Sequence, residues 1–311
     1  MRETMNGQPE ALRRVLADTD RLGAAVERLR GREVFLVGTG TSWHAANQGA
    51  SLLRLAGVRA WPVQAQDAAL AGPFPKPEDA LVLMTHRGTK RYTSDVLQRA
   101  RAEGVPTVVI SRVGNPEADL DTVPNETSSA FTASHLGALL RVGQLAVALG
   151  ATLDLGAVPD VVAAELAAGA TGVIPPRRLL EFAGVGANAW TAGEGALKTR
   201  ETSYVATEGG NCEHILHGPS VALGSDDALV CLNGGGPGAE RLDDLALVAS
   251  SAGSTVHRFD RTDLGEPLSI FALTVVVQKI AAECAEALGT NPDSFGKDLP
   301  GRAAAWDRIQ L

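Results

Sequence analysis

The chain has 311 residues, of which 45% are hydrophobic, and a formal net charge of −8. That length allows about two domains with sizeable cores, and the net acidic, mixed-sign composition argues against nucleic acid or an anionic membrane as principal partner. The opening MRETMNGQPEALRRVL lacks the apolar stretch and small-residue cleavage site of a signal peptide, so the expectation is a cytoplasmic protein.

Taken in order, apolar positions Leu12, Val15, Leu16, Leu22, Val26 and Leu29 predict an amphipathic helix over 9–29. A strand over 33–37 (EVFLV) then runs into the turn Gly38, Thr39, Gly40, Thr41, Ser42, with a helix over 43–56. The unit recurs. A strand over 80–84 (ALVLM) leads into Thr85, His86, Arg87, Gly88, Thr89, Lys90 and a helix reaching about residue 103. A strand over 106–110 and a helix over 134–149 follow, and then a Pro- and Ala-rich passage over 158–178 interrupts the pattern. It resumes with a strand over 180–185, a helix from about Asn188, and strands over 228–232 and 255–259. The apolar run 270–277 is too short to span a bilayer and reads as buried helix. Strands alternating with helices imply doubly wound parallel sheets, with ligands at the strands' C-terminal ends. The expected fold class is α/β, two similar parallel-sheet domains in tandem, 1–158 and 159–311.

Two loops have the character of anion sites. Gly40, Thr41 and Ser42 offer backbone amides and hydroxyls at a helix start, although a glycine-rich turn serves ordinary folding equally well. Thr85 to Lys90 adds two cations, suited to phosphate, against the alternative of a solvated basic helix start. Thr132, in ETSSAFT, could close the same pocket or simply cap the next helix. There is no P-loop and no G-x-G-x-x-G fingerprint. Cys212, Cys231 and Cys284 form no C-x-x-C pair, which opposes a disulfide framework or structural zinc. His214 and His217 lack a convincing third ligand. Neither metal nor cofactor is expected.

The chemistry concentrates in 193–219, GEGALKTRETSYVATEGGNCEHILHGP. Glu194, Lys198 and Glu201, at spacings of four and three, share one helix face, and His217 precedes a Gly-Pro turn. Carboxylate, amine and imidazole together make a proton-transfer set. The competing reading is an exposed ion pair with an incidental loop histidine.

These segments resemble the SIS (sugar isomerase) family, specifically the isomerase half of glucosamine-6-phosphate synthase. The likeness is carried by the opening MRETMNGQPEAL, GTGTS at 38–42, GEGALKTRETSY at 193–204, HGP at 217–219 and GTNPD at 289–293. The resemblance implies that Glu201 moves a proton between C1 and C2 of an open-chain amino-sugar or ketohexose 6-phosphate. It further implies that Lys198 acts on the adjacent oxygen, that Glu194 orients Lys198, and that His217 opens the ring from a neighbouring subunit in a homodimer. Without a preceding amidotransferase half, glutamine hydrolysis is not expected. Two departures stand out. His86, Arg87 and Lys90 replace hydroxyl residues of the family's phosphate loop, and SFGKDLPGRAAAW offers Lys297 and Arg302 near the place of its imine-forming lysine. Beside an isomerase or deaminase, the alternatives are a fructosamine 6-phosphate deglycase and a non-catalytic sugar-phosphate-binding regulator.

Overall fold

The computed structural model describes residues 1–309. Two compact units emerge: an N-terminal one, mainly Gly7–Thr127 and Phe131–Pro159, and a C-terminal one of Met1–Asn6, Ser128–Ala130 and Asp160–Trp306. Each is α/β around its own parallel sheet.

In the N-terminal unit the strands are β1 (Val34–Gly38), β2 (Ala60–Gln64), β3 (Ala80–Met84), β4 (Thr107–Ser111) and β5 (Leu120–Asp121), in the order β2-β1-β3-β4-β5. Every residue of β3 is buried, because helices cover both faces of a parallel sheet and demand a continuous apolar run. Val37, Leu81, Leu83 and Val96 form part of the core. The order reverses between β1 and β3, and the loops after these two strands flank the crevice where such folds bind ligands. β2 escapes the sequence pattern because Pro62 interrupts it, and a proline that cannot donate to the ladder is tolerated at this sheet edge.

The helix expected over 9–29 is two, Gln8–Ala17 and Leu22–Leu29. Arg141 accounts for the break. Buried on the helix Ala133–Ala148, it donates to the carbonyls of Val15 (3.2 Å) and Asp18 (2.5 Å) and pairs with the Asp18 carboxylate. The chain end that a continuous helix would hide is here the acceptor set for a buried guanidinium.

In the C-terminal unit β6 (Leu180–Gly184), β7 (Thr207–Asn211), β8 (Ala228–Asn233) and β9 (Thr255–Asp260) are ordered β7-β6-β8-β9. Phe182, Val230, Leu273 and Val277 belong to its core. β7, sequence TEGGN, has no apolar alternation. Gly209 is required there, since a Cβ would stand 2.3 Å from the Ala192 carbonyl oxygen of the helix packed across it. The run 270–277 is the middle of a 24-residue helix, Gly265–Leu288. Among the described residues this is the one helix long and apolar enough to cross a membrane, and most of it is buried within the protein. The passage over 158–178 is not simply an interruption but begins with the helix Val158–Ala167. Lys279 ends that helix, its ammonium donating to the carbonyls of Glu165, Ala168 and Gly169 at 2.8, 2.8 and 2.9 Å.

Candidate active site

The helix Asn188–Ser203 joins β6 to β7 and packs along Gly265–Leu288. Its internal Thr and Ser hydroxyls turn back onto carbonyls one turn earlier: Thr199 to Gly195, Thr202 to Lys198, Ser203 to Thr199. A polar helix thereby sits in a protein interior without orphaned hydroxyls. Glu194, Lys198 and Glu201 do share one face, and they are not an exposed pair. The side chains of Glu194 and Lys198 are 0% and 1% exposed and that of Glu201 is 15%. Lys198 Nζ donates to Glu201 and lies 3.8 Å from Glu194 Oε1. A buried ammonium stays charged only when carboxylates surround it. Glu201, partly open, is the member a solute can reach.

In the N-terminal unit a pocket lies at the crevice. Thr41 and Ser42 enter it from the loop after β1, Thr85 and His86 from the loop after β3, and Ser111, Phe131, Ser134 and His135 complete much of the wall. The β1 loop needs its glycines: Gly40 has φ +55, and a Cβ on Gly38 would lie 2.3 Å from the Ser42 carbonyl oxygen. Of the β3 loop, Arg87, Gly88 and Thr89 are exposed and Lys90 is half-buried; none of the four reaches the wall. The expectation that cations replace hydroxyls inside the pocket therefore needs correction, for no Lys, Arg, Asp or Glu lines it among the described residues.

Glu126, which drew no attention in the sequence, organises this site. Its buried carboxylate accepts from the amides of Thr132 (3.0 Å), Ala133 (3.3 Å) and Ser134 (2.8 Å) at the start of the helix Ala133–Ala148, and from the Thr132 hydroxyl (3.2 Å). Thr132 thus faces Glu126 and not the cavity. The Glu126 amide donates to His86 Nε2 at 3.0 Å. That bond fixes the neutral tautomer with its proton on Nδ1, a buried donor with no protein partner. Burial pushes the His86 imidazole down to about 4, against the pull of Glu126 and with help from Arg87 and Arg112. It is a neutral hydrogen-bond donor at the cavity wall.

No protein-family model matches the chain. The glutamine–fructose-6-phosphate aminotransferase (isomerizing) of Chlorobaculum tepidum is 25% identical over 269 residues, 72% of this chain and 42% of that protein. Its counterpart from Gloeobacter violaceus is 26% identical over 273 residues, 75% of this chain and 44% of the relative. The chain therefore spans less than half the length of these two relatives. Among solved structures, the C-terminal domain of the Francisella tularensis glucosamine-fructose-6-phosphate aminotransferase superposes with a TM-score of 0.78 at 17% identity, covering 93% of this chain and 96% of that one. The chain has the SIS fold. The SIS fold is equally evident against the glucosamine-6-phosphate deaminase of Thermotoga maritima, with a TM-score of 0.77 at 20% identity over 94% of this chain and 96% of that one.

The remaining candidates have other partners. The His217 side chain is 74% exposed, and its Nε2 pairs with Glu213 Oε1 at 2.8 Å. Glu213 also accepts from Arg241 Nε at 2.7 Å, and these two hydrogen bonds, Arg241's first, hold its carboxyl below the usual range. Glu213 is thus the positioning group for His217 that sequence reasoning left without a role; its i,i+4 spacing was the available signal. Cys212 is buried, donates to the Arg241 carbonyl, and is pushed up to about 11 by burial, so it is no nucleophile. Lys297 is exposed, and Arg302 lies over the Tyr204 ring with its guanidinium 5.9 Å from the centroid. The Tyr204 hydroxyl meets Ser294 and Asp298 at 3.0 and 3.1 Å, tying the C-terminal segment to the end of the Lys198 helix.

Proposed function

We propose that the chain is a phosphosugar isomerase or amino-sugar phosphate deaminase that moves a proton between C1 and C2 of an open-chain sugar 6-phosphate, each unit being one SIS module with the boundary near residue 158. The observation that carries this reading is the Lys198–Glu201 pair, buried on the helix Asn188–Ser203 with only Glu201 partly open. Aldose–ketose interconversion needs a base for the carbon-bound proton and a cation for the oxygen that becomes anionic. Glu201 takes the proton from one carbon and returns it to its neighbour. Lys198 stabilises the enediolate oxygen, and Glu194 holds Lys198 in place. Within the N-terminal unit, Thr41, Ser42, Thr85 and His86, with the backbone of Gly40, form a phosphate-receiving pocket. His217, exposed and oriented by Glu213, opens the ring of a sugar bound to a second copy in a homodimer. With Lys297 exposed and Arg302 on Tyr204, no imine step is invoked.

The test is NMR in deuterated water with fructose 6-phosphate, glucosamine 6-phosphate and a fructosamine 6-phosphate. Solvent deuterium should enter C1 or C2 of one of them, and E201Q should abolish the exchange while leaving binding measurable. Tight binding with no exchange on all three would replace the enzyme by a sugar-phosphate sensor.

A further inference from the structure

Many cations in the N-terminal unit have carboxylate partners. Arg21 pairs with Asp121, Arg28 with Asp119, Arg91 with Asp95, Arg99 with Glu103, and Arg141 with Asp18. Others, such as Arg32 and Arg54, donate only to carbonyls, and Arg87, Lys90 and Arg112 are likewise a group without carboxylate partners around one loop. Arg87 donates only to a carbonyl, that of Glu126, at 3.4 Å, and Arg112 donates to the carbonyl of Val113 at 3.0 Å. Neither they nor Lys90 has a carboxylate partner among the described residues. The Glu126 carboxylate is engaged by the helix amides of Thr132 to Ser134. In a chain of net charge −8, three cations around one loop without a counter-ion need a reason.

Their placement supplies it. Phe131 lines the cavity and packs against His86 with ring centroids 4.8 Å apart. The Arg87 guanidinium sits over the same Phe131 ring, 5.1 Å from its centroid, so it stands at the cavity's rim. The charge of Arg87 reaches Lys90, whose ammonium is disfavoured first by burial and then by Arg87; that of Arg112 reaches His86. The wall within holds only neutral donors. One monophosphate seated among hydroxyls and the His86 Nδ1–H leaves these three charges unused.

We propose that the cavity takes a sugar phosphate bearing a second anionic group, and that Arg87, Lys90 and Arg112 hold that group at the rim. This rests on the phosphosugar reading above and narrows its substrate class to ligands with either a second phosphate or a carboxylate, as in the adduct of an amino acid with a ketose phosphate. A planar guanidinium beside an ammonium suits both chemistries.

Two matched pairs of ligands test it, with dissociation constants measured by calorimetry at fixed ionic strength. Fructose 1,6-bisphosphate is set against fructose 6-phosphate, and the glycine adduct of fructose 6-phosphate against its ethylamine adduct, which has the same length without the carboxylate. At least one member bearing the second anionic group should bind about tenfold more tightly than its partner, and which pair shows the gain identifies the group. In the R87Q/K90Q double variant and in R112Q that ratio should fall toward one. A ratio near one in the wild-type protein, or a ratio unchanged in the variants, overturns the rim site while the phosphosugar reading stands on the monophosphate's binding. Absence of binding by all four ligands overturns both.

Discussion

Lys198 shows how much one residue's burial decides. The same three residues, read from spacing alone, fit an exposed ion pair worth little; with Glu194 and Lys198 almost wholly inaccessible they form a charged cluster that only mutual pairing sustains. K198M should lower turnover on the responsive substrate by roughly 10²–10⁴-fold, measured as kcat, because the oxygen loses its cation. Two other residues set pH dependences of opposite sense. His86 is depressed in the fold to about 4, so its contribution to stability is complete above the ordinary imidazole range and is lost as pH falls through about 4. Denaturant titrations between pH 7 and pH 4 should show a loss of about 3 kcal/mol that is missing in H86N. Glu181 is raised to about 7, first by burial and then by Glu208, its register partner on β7, with Arg200 opposing. Its contribution is full below the ordinary carboxylate range and is lost as pH rises through about 7. E181Q should therefore gain on the wild type by about 2–3 kcal/mol at pH 8 and by nothing at pH 4. A wild-type-like slope in E181Q would assign the pH dependence elsewhere.

At the scale of elements, legibility followed burial on both faces. β3, β4, β6 and β8 are mostly buried strands, apolar but for Glu181 on β6 and polar residues at the ends of β4 and β8, and were readable as such. β2 and β7 are edge strands carrying Pro62 and Gly209, whose reasons lie in what the edge lacks and in what packs across it. The helix Asn188–Ser203 was readable through its charged spacing, whereas the start of Ala133–Ala148 was not. Hydroxyls there pointed to a conventional cap, but the acceptor comes from Glu126, six to eight residues upstream. The tautomer of His86 was equally hidden, since it depends on an amide forty residues away. Glu126→Ala should destabilise the N-terminal unit by about 2–3 kcal/mol, because several buried amides lose their acceptor together. The same variant should release His86 from its fixed tautomer, read as a change in the imidazole ¹⁵N shifts. Loss of stability with an unchanged His86 spectrum would separate the cap from the site.

At the scale of the whole molecule, two parallel sheets were foreseeable from alternating strands and helices, but the ties that complete each unit were not. Contact-rich ends of the chain fall with the body they pack on: Met1–Asn6 belongs with Asp160–Trp306, while the following helices belong with the N-terminal sheet. Each unit is closed by one buried cation that takes carbonyls from a distant helix end, Arg141 in the first and Lys279 in the second. Neither is visible as periodicity, because a lone charge inside an apolar helix carries no pattern until its acceptors are known. R141M leaves the Asp18 carbonyl and carboxylate without their buried donor, and K279M does the same for the carbonyls at 165, 168 and 169. Each should cost about 3 kcal/mol or more. Since the two cores are built from separate residue sets, amide hydrogen exchange should show where each loss is felt. In R141M the protection lost should concentrate in β1, β3 and β4, and in K279M in β6 and β8. Uniform loss over both sheets in either variant would mean that the chain unfolds as one cooperative body and that the two cores are not independent in energy.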